Sequence, residues 1–253
     1  MRRRLAYILL GLLAYAVFLV LLCPASLLIE QLSQRLPGFS AQSVQGSAVQ
    51  GTAQSVQLSA TARLETIAWR LRLFPLLLGR IEYDLQLSAP ELNIRGIASL
   101  GWDRQLRLVA LNGQLPLPQA IALAGRPPPP LNGTLELDNV ALRLNRDYRP
   151  TEAGGLIHLR NLGTSFGNPL SLGNFDIQLQ TQANALVASV QDQGGPLQLN
   201  GSLTLDPDGR YRFTAQAAPR DQNNRELYQA LSLLGRPEGN GKWMFDFAGS
   251  LQV

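Results

Sequence analysis

Apolar side chains recur at every second position through most of the chain after Ser40, and this period of two limits what the chain can fold into. Ile67, Trp69, Leu71 and Leu73 alternate with Ala68, Arg70 and Arg72. Ile81, Tyr83, Leu85 and Leu87 alternate with Glu82, Asp84 and Gln86, and Leu106 and Leu108 with Gln105 and Arg107. A strand sends successive side chains to opposite faces of its sheet, so each run predicts one apolar face and one polar face. Turn signals separate the runs, supplied by 23 Gly and 16 Pro. Pro75 and Pro90 bound the first runs, and Asn112-Gly113 reads as a tight turn.

A short helix is expected at about Pro118–Ala124, followed by Pro127-Pro128-Pro129-Pro130, a stiff connector that cannot join a central ladder. Beyond it the alternation resumes. Leu135 and Leu137 occupy odd positions while Val140, Leu142 and Leu144 occupy even ones, a phase slip at Asp138-Asn139 that predicts a bulge or a tight turn. Phe175, Ile177 and Leu179 form a strand that turns at Gln182-Ala183-Asn184, and Asp206-Pro207-Asp208-Gly209 turns Leu197–Leu205 back into Tyr211, Phe213 and Ala215. One convincing helix is predicted near Gln222–Leu234. Asp221 or a nearby Asn would cap it, Leu227, Leu231 and Leu234 form its stripe, and Gly235 follows it.

The first segment differs in kind. Leu5 to Leu22 is 18 residues without a charge, about 27 Å as a helix and close to the thickness of bilayer hydrocarbon. A cleaved signal has a shorter apolar core and small residues before the cut, whereas Leu21-Leu22-Cys23-Pro24 offers none. The reading is an uncleaved anchor. Arg2, Arg3 and Arg4 flank it on one side and would keep the N-terminus cytoplasmic, with the bulk of the chain in the periplasm and the protein in the inner membrane.

The expected fold is therefore mostly β: a single N-terminal transmembrane helix followed by a curved antiparallel β-meander, half-pipe or barrel-like, with one or two short helices. Its parts would be a tip and anchor over 1–24, an amphipathic linker helix over 25–39, a first β lobe over 40–126 and a second over 131–253.

Composition excludes several functions. The net charge of +4 suggests a polyanion partner only until Arg2, Arg3 and Arg4 are set aside, which leaves 19 basic against 18 acidic residues, scattered rather than clustered. No nucleic acid is expected as a partner. Cys23 and His158 are the sole Cys and His, so neither a disulfide within the chain nor a thiol or imidazole metal cluster can form. No phosphate loop or nucleophile elbow occurs. Gly46–Gly51 and Gly163–Gly167 read as loops or strand bends, and Asn132-Gly133-Thr134 as a turn into a strand. Of the paired acids, Asp206 and Asp208 belong to a hairpin turn, and Glu82 and Asp84 to the solvent face of a strand. No catalytic residue, metal or cofactor is expected.

What remains is a shape. So few helices cannot cover two lobes of sheet, so either the sheet closes on itself or an apolar concave face stays open. The residues expected to line that face are Trp69, Leu71, Tyr83, Leu85, Leu106, Leu108, Leu135, Leu137, Ile177, Leu179, Leu203 and Phe213. Such a groove would take a partner segment or a lipid chain.

Several segments carry a family resemblance. They are SVQGSAVQGTAQSVQLSA, Trp69 with Pro75-Leu76-Leu77-Leu78-Gly79-Arg80, and Pro130-Leu131-Asn132-Gly133. Toward the C-terminus they are Leu199-x-Gly201, Asp208-Gly209-Arg210-Tyr211, Pro219-Arg220, Leu227 to Gly235, and Gly249-Ser250-Leu251. In this order and with the anchor, the chain resembles the type II secretion system protein N family. It is more loosely similar to AsmA-like periplasmic β-groove proteins. The first resemblance implies a non-catalytic inner-membrane component that supports export of folded periplasmic proteins, with other type II secretion components as partners. The second implies a lipid-handling protein. Neither brings catalytic residues to this chain.

Overall fold

The alternating runs become the strands of one sheet. A computed structural model describes residues 11, 24–26, 30, 40–57, 63–123, 125–147, 149–164, 169–221 and 223–250. The strands are β1 (Ser40–Gly46), β2 (Gln50–Gln57), β3 (Arg63–Arg72), β4 (Ile81–Ala89), β5 (Leu92–Leu100), β6 (Leu106–Pro116) and β7 (Leu131–Leu144). They continue with β8 (Pro150–Thr164), β9 (Leu170–Gln182), β10 (Ala185–Asp192), β11 (Leu197–Leu205), β12 (Arg210–Pro219), β13 (Arg236–Gly239) and β14 (Lys242–Ser250). All 14 belong to one sheet, paired in chain order except that β14 lies between β12 and β13. The pairing runs unbroken from β6 to β7, across the four-proline connector.

Local chemistry explains most of the turns. Gln182 pairs with Ala185 around Ala183 and Asn184, which have φ of 46° and 68°. Positive φ at both central residues gives the turn whose twist matches the strands it joins. Between β11 and β12, the Gly209 N–H donates to the Asp206 carbonyl at 2.9 Å, and Gly209 has φ of 86°. Asn112-Gly113 departs from expectation: it lies inside β6, not in a turn. Gly113 has φ of 139°, and a Cβ there would collide with the Asn93 carbonyl oxygen. The glycine serves a close approach between strands.

Bulges keep the strands in phase. Ala110 in β6, Asn139 in β7 and Asn161 in β8 have φ of 51°, 48° and 52°, and the register of each strand against both neighbours shifts around that residue. A bulge leaves a backbone N–H outside the ladder. The Asn139 N–H donates to Asn112 Oδ1 at 2.9 Å, and the Asn161 N–H to Asn174 Oδ1 at 2.8 Å.

The helices that can be bounded among the described residues are α1 (Leu73–Leu76), α2 (Leu117–Leu123) and α3 (Arg225–Leu234). Asn224 caps α3 by accepting from the Leu227 N–H at 3.0 Å, and Leu227 and Leu231 are its buried residues. Leu234, expected in the same stripe, is exposed. The core forms two clusters. One unites Leu159, Phe175, Leu197, Ala217 and Trp243 with Leu227 and Leu231 of α3. The other unites Ala53, Val56, Leu64, Leu92, Ile94 and Leu115, with Ala120 and Leu123 of α2 packed against it. Leu135 packs against both.

Two expectations are corrected. The single-pass transmembrane helix is not found: among the described residues no helix is long and apolar enough to cross a membrane. The longest described helix, α3, has 10 residues, against about 20 for a span. The inner-membrane localisation and the membrane partnership read from that anchor are withdrawn with it. Arg2, Arg3, Arg4 and, apart from Gly11, the run Leu5–Leu22 lie outside the described residues, as does the linker helix over 25–39 except Ala25, Ser26 and Glu30. The second correction is to barrel-like closure. Among the described residues β1 pairs only with β2 and β13 only with β14, so the sheet stays open.

Candidate functional site

Directly paired residues of an antiparallel ladder stand on the same face, so the register decides which side chains share a surface. Trp69 pairs with Leu85, and Leu71 with Tyr83. Leu108 and Leu106 pair with Leu142 and Leu144. Leu135 and Leu137 pair with Leu159 and Ile157, and Ile157 pairs in turn with Ile177. Leu179 pairs with Ala188, Ala188 with Leu203, and Leu203 with Phe213. Following this chain through the bulges places every expected lining residue on one face of the sheet. The bulges make this possible. Without the extra residue at 110, 139 and 161, β6, β7 and β8 would each turn half their apolar side chains to the other side.

The face is unevenly covered. Toward one end of the strands α2 and α3 lie on it and bury Leu115, Leu159, Phe175, Leu197 and Trp243. Near β3 and β4 the β1–β2 turn folds over it. There Trp69 Nε1 donates to the Ser47 carbonyl and Tyr83 Oη to the Ala48 carbonyl, both at 3.1 Å, and Leu71 is buried. Elsewhere the face is open. There Leu85, Leu106, Leu108, Ile177, Leu179 and Phe213 are half-buried and Leu203 is exposed, while Leu135 and Leu137, also half-buried, border the core clusters. Ile94, Leu142, Ile157, Val190 and Phe247 share the face and were not among the expected lining residues. The alternation that identifies their neighbours, carried through the bulges, identifies them too.

The opposite face is polar. Glu136, His158 and Asp176 stand in register across β7, β8 and β9. His158 Nδ1 lies 2.6 Å from Asp176 Oδ1, Gln193 Nε2 donates to Asp176 Oδ2 at 2.8 Å, and Arg160 Nε reaches Glu136 Oε2 at 3.3 Å. This is a cross-strand row of hydrogen bonds with Arg160 as its ion-pairing cation, of the kind that stabilises a solvated sheet surface. Among the described residues no group of three or more His, Cys, Asp or Glu side chains could hold a metal ion. Glu82 and Asp84 flank Arg72 at 3.7 and 3.2 Å. Asp208, exposed in its turn, is held below its ordinary pKa, first by the Arg210 backbone N–H and then by the Arg210 guanidinium. The polar groups thus serve turns and cross-strand pairs, and the feature of the fold without such a role is the open apolar face.

Comparison with known proteins finds one family over most of the chain. The family profile described as "Type II secretion system (T2SS), protein N" matches residues 37–245. The chain is 28% identical over 220 residues to the type II secretion system protein N of Vibrio cholerae, covering 85% of this chain and 86% of that protein. It is 26% identical over 260 residues to the protein of the same name from Aeromonas hydrophila, covering 99% of this chain and all of the other. No solved structure matches.

Proposed function

Because the chain belongs to the type II secretion system protein N family, we propose that it serves type II secretion without catalysis, as a β-sheet platform for another component of the machinery. The observation that carries this reading is the open apolar face, continuous in register from β3 to β14 and only partly covered by the helices and the β1–β2 turn. Contiguous apolar surface on that scale is rare in a protein that has no use for it. The occupant fits as an extended segment, since an alternating strand can lay every second side chain onto such a face. The boundaries 40–126 and 131–253 belong to the same proposal, as two lobes of one platform, each with its own hydrophobic cluster.

Photo-crosslinking residues at Leu85 and Leu137 test it in the cell. Both should capture another type II secretion component, and deleting the gene should leave active exoproteins trapped in the periplasm. Capture of lipid alone at both positions, or no capture with both sites resistant to water-soluble reagents, would refute the platform.

A further inference from the structure

The end of the sheet opposite α2 and α3 carries a second apolar feature, and it is a projection instead of a face. Between β3 and β4 the chain runs Leu73-Phe74-Pro75-Leu76-Leu77-Leu78 without one polar side chain, and α1 within it buries none of its residues. Phe74, Leu77 and Leu78 are 75%, 83% and 65% exposed. Trp102, from the β5–β6 connection, is 86% exposed and lies against Gly79, which has φ of 71° and where any Cβ would overlap the indole. Two connections are thereby joined into one apolar tip.

We propose that this tip is a peripheral lipid-contact site, inserting its apolar side chains into the interfacial layer of an anionic phospholipid surface. Four consecutive backbone N–H groups of the tip are paired within it. The N–H groups of Leu77, Leu78, Gly79 and Arg80 donate to the carbonyls of Phe74, Pro75, Leu76 and Pro75 at 3.0–3.1 Å, and Pro75 has no N–H to satisfy. A segment that enters an apolar medium must pair its backbone internally. A protein interface ordinarily exchanges a hydrogen bond for every 100–200 Å² or so, and the side chains from Leu73 to Leu78 offer none. Tryptophan beside leucine and phenylalanine, with cations at the margin, is the composition that settles at a headgroup boundary.

Charge points the same way. Around the tip, Glu82 and Asp84 are engaged by Arg72, and Asp103 by Arg107. Arg80 and Arg104, which flank Gly79 and Trp102, form no ion pair among the described residues. Their guanidinium groups are free to meet phosphate. Pro24, which follows the apolar run ending at Cys23, bridges Ser47 in the β1–β2 turn, and Leu71 donates to the Val49 carbonyl beside it. That bridge lies at the end of the sheet that carries the tip. The contact proposed is one of lying on a surface and is independent of any membrane-spanning segment.

The full-length chain, with Cys23→Ser and a single environment-sensitive fluorophore on Leu77→Cys, should be mixed with phosphatidylcholine vesicles containing or lacking phosphatidylglycerol. A second protein carrying the label on Gln198→Cys, at the opposite end of the sheet, reports general proximity. The Leu77 label should shift to the blue with the anionic vesicles and be quenched by nitroxides near the headgroups, while the Gln198 label stays aqueous. Arg80→Gln or Arg104→Gln should raise the lipid concentration for the half-maximal shift about fivefold each. A Leu77 label that stays aqueous on anionic vesicles, with far-UV circular dichroism unchanged, would overturn the proposal. So would a label shielded only when another protein is added, or equal shifts at Leu77 and Gln198.

Discussion

Deleting Asn139 tests the argument that single-residue bulges hold the apolar face together. Asn139 is the extra residue of β7 against both β6 and β8. Without it, one half of β7 must reverse its faces. The half from Val140 to Leu144 is the cheaper one to turn, because Leu135 and Leu137 are packed into the core clusters. Val140 is buried and Leu142 and Leu144 are half-buried. At about 1.5–3 kcal/mol for full burial of a Val or Leu and half that for the others, their exposure costs about 3–6 kcal/mol. Arg143 would also leave Glu152 for the apolar face. That is a large share of the roughly 5–15 kcal/mol that holds a domain folded. Asn139→Gly keeps the bulge and its left-handed backbone, and should change stability by less than about 1 kcal/mol. Urea unfolding followed by tryptophan fluorescence measures both variants. A deletion variant as stable as Asn139→Gly would show that the bulge does not set the phase of β7.

Leu227→Ala removes the most buried side chain of α3 from the cluster around Trp243 and should cost about 2–5 kcal/mol in the same unfolding assay. A loss under about 1 kcal/mol would mean that α3 is not packed on the sheet. For Asp208, the carboxyl titration followed by NMR should fall below the ordinary value, and Arg210→Ala should move it upward. Because the folded pKa is the lower one, any stability this group contributes is present above the unfolded pKa. It is lost as the pH falls through the folded value. A titration at or above the ordinary carboxylate value would refute the hydrogen-bonded turn.

How far the sequence reaches can be judged residue by residue. The alternation of Trp69, Leu71, Tyr83 and Leu85 is local, because a strand's side-chain period is a property of one chain segment. The same is true of Ala183-Asn184 as a turn and of a helix near Gln222–Leu234, although it begins at Arg225 and its cap is Asn224, not Asp221. The phase slip at Asp138-Asn139 is also legible, since Leu137 and Val140 cannot both face the same way in a regular strand. Asn112-Gly113 was not legible. Its residue types are those of a tight turn, and only the approach of Asn93 and the orphan N–H of Asn139 show that they serve neighbouring strands. The apolar tip at Leu73–Leu78 carried its signal in a break of the alternation, but that run looks the same whether a neighbouring strand covers it or not.

Strand content, the turns and the two-faced character of each run follow from the sequence alone, because they depend on the conformational preferences and periodicity of neighbouring residues. The choice between an open sheet and a closed barrel depends on whether β1 meets β13, and no local preference encodes that pairing. The tertiary structure alone leaves the edges apart, sets α2 and α3 over one end of the apolar face, and joins Trp102 to Gly79 at the other. Each of these is a contact between residues distant in the chain, and its energy is decided by what the whole sheet brings together.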